Sequence, residues 1–409
     1  MTPAIVPQDY NLATRRSSMF ETRAVRWTLS IAGFMLVAMT MEAQSDPFAP
    51  TSRSGTFIHV SGTRATDAAG KLVAGDIKAQ TQRTLENVDA RLKAAGSSLA
   101  MAASINVYLK NAADFAAMNE VYRTFWPKDP PVRTTIVANG SDPEALVEIA
   151  AVAIPNGGAR KIIHPEGWVA SLNPYSYGVL SGDTLFLSGL ISRSGKDNQP
   201  VPGDMKAQTT TVLENAAAIL KAAGMTHADV VQSRIYITDT AAFQDMNAAY
   251  RGFFPKDPPV RATVKAGLMG AQYLVEITMV AIKGARQVIT PANADGTPGT
   301  PNPNLSSVIR AGDRLWLSGM LGNTPATKDD VAAQTKETLE RLQRAAQAAG
   351  FDWAQMKEGV VYITDMKNRA AVEKAWREAF PKGLPAGVQV ETGLVAPDGL
   401  VEIMLSGAK

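Results

Sequence analysis

The sequence predicts an α+β fold written three times, and two observations carry that prediction. Landmarks recur in fixed order at intervals of about 125 residues, and within each interval the apolar residues switch between strand and helix spacing. Such a unit has the size of a domain, not the roughly 20–50 residues of a solenoid repeat. "KAQTQRTLENVDARLKAAG" from Lys78 returns as "KAQTTTVLENAAAILKAAG" from Lys206 and "AAQTKETLERLQRAAQAAG" from Ala332. "FWPKDPPVRTTIV" from Phe125 returns as "FFPKDPPVRATVK" from Phe253, and in weaker form as "AFPKGLPAGVQVE" from Ala379. "ALVEIAAVAI" from Ala145 returns as "YLVEITMVAI" from Tyr273 and "GLVEIMLSGA" from Gly399.

Each element of the unit has a local reason. A β-rich run ending in Ser-Gly opens it: "VSG" at Val60, "LSG" at Leu187 and again at Leu317. A long amphipathic helix follows, with Leu213, Ala217, Leu220 and Ala223 at helical spacing and Gly224 placed to stop it. A strand such as "VVQSRIYIT" comes next, then Asp239 ahead of a second helix, which Pro255, Pro258 and Pro259 end. Two last runs, "ATVKAGL" and "YLVEITMVAI", read as antiparallel strands. The order is β(β)–α–β–α–β–β. The helices are expected on one face of a mixed sheet whose other face also needs cover. Boundaries fall at "PNGGARK" and "TPANADGTPGTPNPN", giving units of 44–157, 158–287 and 288–409.

Residues 1–43 lie outside this pattern and read as an export signal, with Met19 an alternative start. Arg23 and Arg26 precede an uncharged apolar run from Trp27 to Thr40, and Met41-Glu42-Ala43 suits cleavage before Gln44. The run falls short of the roughly 20 apolar residues of a membrane-spanning helix. The protein is therefore expected to be exported, to a periplasm, without stable membrane insertion after cleavage, with an uncleaved membrane anchor as the alternative.

Composition excludes several functions. The chain has no cysteine, so disulfides, thiolate metal sites and a cysteine nucleophile are excluded. The three histidines, His59, His164 and His227, match no metal-ligand spacing and are read as structural or surface residues. A net charge of +3 with no run of lysine and arginine gives no footprint for nucleic acid.

The arginine stretch, "LVEI", "QT…LEN…L.AAG" and "MN..Y..FF", in order, resemble the RidA/YjgF/L-PSP family of enamine/imine deaminases. "NPYSYGVLSGDTLFLSG" from Asn173 adds that family's Pro-Tyr-Ser signature. The resemblance covers nearly all of residues 44–409. It implies a chorismate-mutase-like fold and ligand clefts between neighbouring subunits of a trimer. Three fused copies are then expected to pack as an intramolecular pseudo-trimer.

The resemblance also implies site residues. Arg133 and Arg261 match the arginine that grips the carboxylate of a small 2-imino acid, a task its planar fork suits. Glu148 and Glu276 match the glutamate that positions water for attack on the imine carbon. Each follows its arginine by 15 residues. A symmetric hairpin would place each such pair face to face, and separate clefts are equally compatible with the spacing. Asn119 and Asn247 match a cleft-wall asparagine, and Tyr175 an amino-terminal tyrosine. Thr135 and Thr263 stand where many relatives have cysteine. Ser61 and Ser188 are weaker candidates. The chemistry needs orientation, water and proton transfer but no cofactor or metal.

Repeat 3 departs from the pattern. It has Gly387 for the arginine, Glu373 for the asparagine and "PNLS" around the tyrosine position, yet keeps Glu402. Repeat 1 aligns Phe48 with Tyr175. Repeat 3 is thus expected to be mainly structural. Two further readings stand beside imine hydrolysis: a non-catalytic binder of small carboxylates, and a structural or partner-binding module.

Overall fold

The structure is a computed structural model that describes residues 46–409. The expected export segment lies outside the described residues.

Repeat 1 holds β1 (Thr51–Ser54), β2 (Phe57–Thr63), α1 (Ile77–Ala94), β3 (Ala102–Leu109), α2 (Phe115–Phe125), β4 (Val132–Val137) and β5 (Val147–Ala153). Repeat 2 continues with β6 (Lys161–Ile163), β7 (Gly178–Ser181), β8 (Thr184–Leu190), α3 (Met205–Ala222), β9 (Val230–Ile237), α4 (Phe243–Phe253), β10 (Val260–Lys265), β11 (Gly267–Leu268) and β12 (Val275–Ile282). Repeat 3 has β13 (Gln287–Ile289), β14 (Val308–Ala311), β15 (Arg314–Leu321), α5 (Val331–Ala348), β16 (Met356–Ile363), α6 (Arg369–Ala379), β17 (Ala386–Glu391), β18 (Gly393–Leu394) and β19 (Val401–Ala408).

Local chemistry sets the long helices. Asp76, Asp204 and Asp330 cap α1, α3 and α5, each accepting from the backbone N–H three residues on. Gly224 follows α3 at φ +71°, the left-handed conformation that glycine adopts without strain.

The strand order corrects the hairpin expectation. Within repeat 2 the sheet runs β10-β9-β12-β8, so β9 lies between the arginine strand and the glutamate strand. Helix α4 carries the chain from β9 over to β10, which pairs parallel with β9, and β12 returns antiparallel on the far side of β9. Arg261 and Glu276 are therefore separated by a strand, as are Arg133 and Glu148 in repeat 1, where the order is β5-β3-β4.

Five apolar cores result among the described residues, the smallest packing Phe57 and Val152 of repeat 1 against Val179 and Phe186 of repeat 2. Each repeat packs its two helices on one sheet face around residues such as Leu85 and Tyr122, Leu213 and Tyr250, or Leu342 and Trp376. The opposite sheet faces close on a common core containing Tyr108, Tyr236, Tyr362, Val260 and Val388, drawn from all three repeats. That common core supplies the second cover the sheets require.

The repeats also exchange sheet edges. Strand β11 of repeat 2 pairs with β4 of repeat 1, and β18 of repeat 3 pairs with β10 of repeat 2. Asn139 of repeat 1 bridges to Glu391 of repeat 3. Each repeat thus meets both of the others.

Candidate functional site: clefts at the seams

The Ser-Gly step is a bulge in every repeat. The pairing of β8 with β12 skips Ser188 and Gly189, and β2 and β15 skip Ser61–Gly62 and Ser318–Gly319 against their partners. Bulges re-aim side chains, and these aim a serine at the neighbouring repeat whose arginine strand meets it. Ser188 Oγ accepts the Arg133 N–H at 3.0 Å and donates to Ser176 O at 2.7 Å. Ser318 Oγ treats Arg261 N and Ser306 O in the same way, at 2.8 and 2.7 Å. Ser61 Oγ accepts from Gly387 N at 2.9 Å. Ser61 and Ser188 are therefore fasteners between repeats, bonded to backbone.

The bulge glycine has a second role. A Cβ at Gly189 would lie 1.9 Å from Glu276 Oε1, and one at Gly319 would lie 2.0 Å from Glu402 Oε1. Only glycine lets the carboxyl fold over the step. A buried glutamine of the long helix fixes the carboxylate strand from behind: Gln208 Oε1 accepts Leu274 N, and Gln334 Oε1 accepts Leu400 N.

Three seams result, and each combines the arginine side of one repeat with the glutamate side of the next. The seam of repeats 1 and 2 unites Arg133, Asn119 and Thr135 with Glu276 and Tyr175. These residues, apart from Asn119, line a cavity of about 50 Å³ together with Phe115, Asn173, Gly189 and Arg193. The Arg133 guanidinium is buried. It donates from Nη1 to Asn119 Oδ1 at 2.7 Å and lies over the Tyr122 ring at 4.7 Å. Asn119 and Tyr122 are three residues apart on α2 and so share a face. No carboxylate forms an ion pair with Arg133 among the described residues. Burial lowers its pKa, opposed by Tyr122 and Tyr175.

Glu276 Oε1 accepts the Thr135 N–H at 3.3 Å across this seam. Burial pushes its pKa up to about 8, against the opposing pull of that N–H and of Arg133. The carboxyl is mostly protonated at neutral pH, a state suited to proton transfer near pH 7. Tyr175 is half-buried, and burial raises its pKa while a bond to Ser171 and the charges of Arg133 and Arg193 lower it. The Thr135 hydroxyl is buried without a partner.

The seam of repeats 2 and 3 is similar but incomplete. Arg261 donates from Nη2 to Asn247 Oδ1 at 2.8 Å and lies over Tyr250 at 4.9 Å. Its Nε and Nη1 are buried without partners, as is the Thr263 hydroxyl. Glu402 accepts the Thr263 N–H, and burial raises its pKa to about 8. Leu305 stands at the tyrosine position.

The seam of repeats 3 and 1 is plugged. A Cβ on Gly387 would meet Phe48 Cδ1 at 2.6 Å and Gly359 O at 2.7 Å. Phe48 fills the arginine's place and meets Trp376, the counterpart of Tyr122 and Tyr250, edge-on at 5.1 Å. Glu373 pairs with Arg369. Glu148 is turned to Ser141, accepting its N–H at 2.8 Å and its hydroxyl at 3.0 Å, and burial raises its pKa. Glu148 thus belongs to the seam whose arginine-strand position is Gly387, while Arg133 faces Glu276 and Arg261 faces Glu402.

Sequence reasoning missed Arg193, which enters the first cleft from the loop after β8. The available signal was its position five residues after Ser188, where repeats 1 and 3 have Thr66 and Asn323.

Fold and seams define a class: tandem α+β repeats in which one repeat's arginine strand meets the next repeat's glutamate strand, with a small cavity at the seam of repeats 1 and 2. Comparison with known proteins gives the family. The model described as "Endoribonuclease L-PSP" matches residues 40–155, 167–283 and 299–408. The chain belongs to this RidA/YjgF/L-PSP family, with three tandem copies of its fold. A RutC family protein of Saccharolobus solfataricus is 40% identical over 124 residues, which are 30% of this chain and 98% of that protein. A RutC family protein of Pyrococcus horikoshii is 36% identical over 124 residues, again 30% of this chain and 98% of its own length. A chorismatase crystal structure matches 75% of this chain and 93% of its own, with TM-score 0.50 and 16% identity, a likeness of fold alone.

Proposed function

We propose that the seam of repeats 1 and 2 hydrolyses small 2-imino acids to 2-oxo acids and ammonia, within three repeats that form one intramolecular trimer. The observation that carries the reading is the buried, ion-pair-free guanidinium of Arg133 in one small cavity with the mostly protonated carboxyl of Glu276. An unpaired buried cation favours an anionic ligand, and a guanidinium takes a carboxylate through two parallel bonds. Family membership supports imine hydrolysis at the level of the family.

Arg133 holds the substrate carboxylate and so sets C2 against Glu276. Water adds to C2 as the Glu276 carboxyl protonates the imine nitrogen, and the resulting carboxylate takes a proton from the added oxygen. A second proton passes from Glu276 to nitrogen, the C–N bond breaks and ammonia leaves. The oxygen's remaining proton returns to Glu276 as the C2=O bond forms. Tyr175 borders the same cavity and orients water or substrate. The second seam, with Arg261 and Glu402 but no tyrosine, binds carboxylates and turns over more slowly. The third binds none.

The test is ammonia release from imines freshly generated by an amino-acid oxidase. Wild-type chain accelerates release, and Glu276→Gln lowers the rate at least about 100-fold, the scale of a lost acid–base group. An equal rate in Glu276→Gln, with the chain folded, sinks the reading. Export is proposed from the amino-terminal sequence, and retention of an uncleaved chain in the cytoplasmic fraction would refute it.

A further inference from the structure

The first cleft differs from the second by more than its tyrosine, because it holds a second guanidinium. Arg193 lines the same cavity as Arg133 and Glu276. It is held there by its own loop and by Tyr273. Nε donates to the Tyr273 hydroxyl at 2.5 Å, and Nη1 donates to Asn198 O at 2.6 Å and to Asn198 Oδ1 at 3.1 Å. Asn198 is buried and sits at φ +60°, which directs both of its oxygens at one nitrogen. The guanidinium also lies over the Tyr273 ring at 5.5 Å.

These contacts use Nε and Nη1 and leave Nη2 without a protein acceptor among the described residues. None of the partners is a carboxylate. The cavity therefore has two guanidinium groups at its wall against one carboxyl. That carboxyl is mostly neutral below about pH 8. A ligand with one negative charge compensates half of this. A dianion compensates all of it. The other seams have no guanidinium at this position, since the fifth residue after the bulge serine is Asn323 in the second seam and Thr66 in the third.

We propose that Arg193 is a specificity-determining residue that binds the distal carboxylate of a short dicarboxylic 2-imino or 2-oxo acid whose first carboxylate is held by Arg133. The assignment rests on the cleft reading given above and narrows its substrate class. The second cleft, with Arg261 alone, is the monocarboxylate site of the pair.

Titration calorimetry on the full chain tests this, with 2-oxoglutarate and 2-oxobutyrate as probes. Arg261→Gln serves as the common background, so that only the first cleft reports. In that background 2-oxoglutarate binds at least about ten-fold tighter than 2-oxobutyrate, the effect of one charge-assisted contact. Adding Arg193→Gln removes the preference and leaves 2-oxobutyrate affinity within about three-fold. Arg193→Lys retains charge while losing the Asn198 and Tyr273 geometry, and keeps part of the preference. Equal binding of the two acids before Arg193 is changed overturns the proposal while the Arg133 cleft stands. So does an equal weakening of both acids by Arg193→Gln, which marks a structural residue. Failure of both probes to bind the Arg261→Gln chain refutes the cleft reading itself.

Discussion

Replacing Arg133 by methionine separates a ligand-binding guanidinium from a structural one. The side chain is buried, and it rests against one amide oxygen, Asn119 Oδ1 at 2.7 Å, and two aromatic rings. A bound carboxylate would take two charge-assisted bonds, each worth about 1.5–3 kcal/mol. Their loss costs at least about 3 kcal/mol, or roughly two orders of magnitude in Kd. Stability responds differently. The substitution forfeits the charge-assisted Asn119 bond, about 1.5–3 kcal/mol, and relieves the desolvation of a cation that has no carboxylate partner. The two offset, so the thermal midpoint moves by no more than about 4 °C. Calorimetric titration with 2-oxobutyrate and differential scanning calorimetry read the two effects. Carboxylate stoichiometry is expected to fall from two sites to one, the Arg261 cleft remaining. A destabilisation of about 3–5 kcal/mol with unchanged stoichiometry is the signature of a broken buried ion pair, and would refute the argument.

Three other outcomes are expected. Glu402 has its folded pKa raised to about 8 by burial. Between its unfolded pKa, about 4.3, and about 8 the folded chain holds a proton that the unfolded chain releases, so this group makes stability fall as pH rises through that window. Glu402→Gln flattens that slope and raises stability at pH 8 relative to wild type; denaturant titrations across pH 5 to 9 that show an unchanged slope would contradict the assignment. At the bulge of β8, Gly189→Ala drives a methyl to 1.9 Å from Glu276 Oε1. It should destabilise the chain by about 1–3 kcal/mol and abolish binding in the first cleft alone, and wild-type affinity there would show that the carboxyl does not fold over the step. Gly387→Arg does not create a third site, because the new Cβ meets Phe48 and the Gly359 carbonyl at 2.6 and 2.7 Å; a gain in carboxylate stoichiometry would show the plug to be movable.

Much of this architecture was legible in residue patterns. Helix caps, proline stops and the Ser-Gly step each have local causes, so α1, α3 and α5 and their glycine stops follow from the sequence alone. Arg133, Asn119 and Thr135 fall together because strand and helix period fix which residues share a face. Which glutamate they meet is another matter. The insertion of β3 or β9 between the two strands depends on the hand and direction of the helical crossover, which no periodicity records. Phe48 was aligned with Tyr175, and its bulk against Gly387 became visible only once both were placed in one seam. Arg193 escaped because a lone arginine in a loop reads as solvated surface, and its anchors at Asn198 and Tyr273 are set by tertiary contact.

The traded sheet edges bear on why a module with glycine at the cleft-arginine position persists. Strand β18 completes the border of the preceding sheet, and Val388, Val390 and Leu394 sit in the common core. Excising residues 288–409 would strip β10 of its outer partner β18 and open that core to water, leaving a sticky border prone to aggregation. The third repeat thus serves as a structural border for its neighbours, whatever becomes of its own plugged seam.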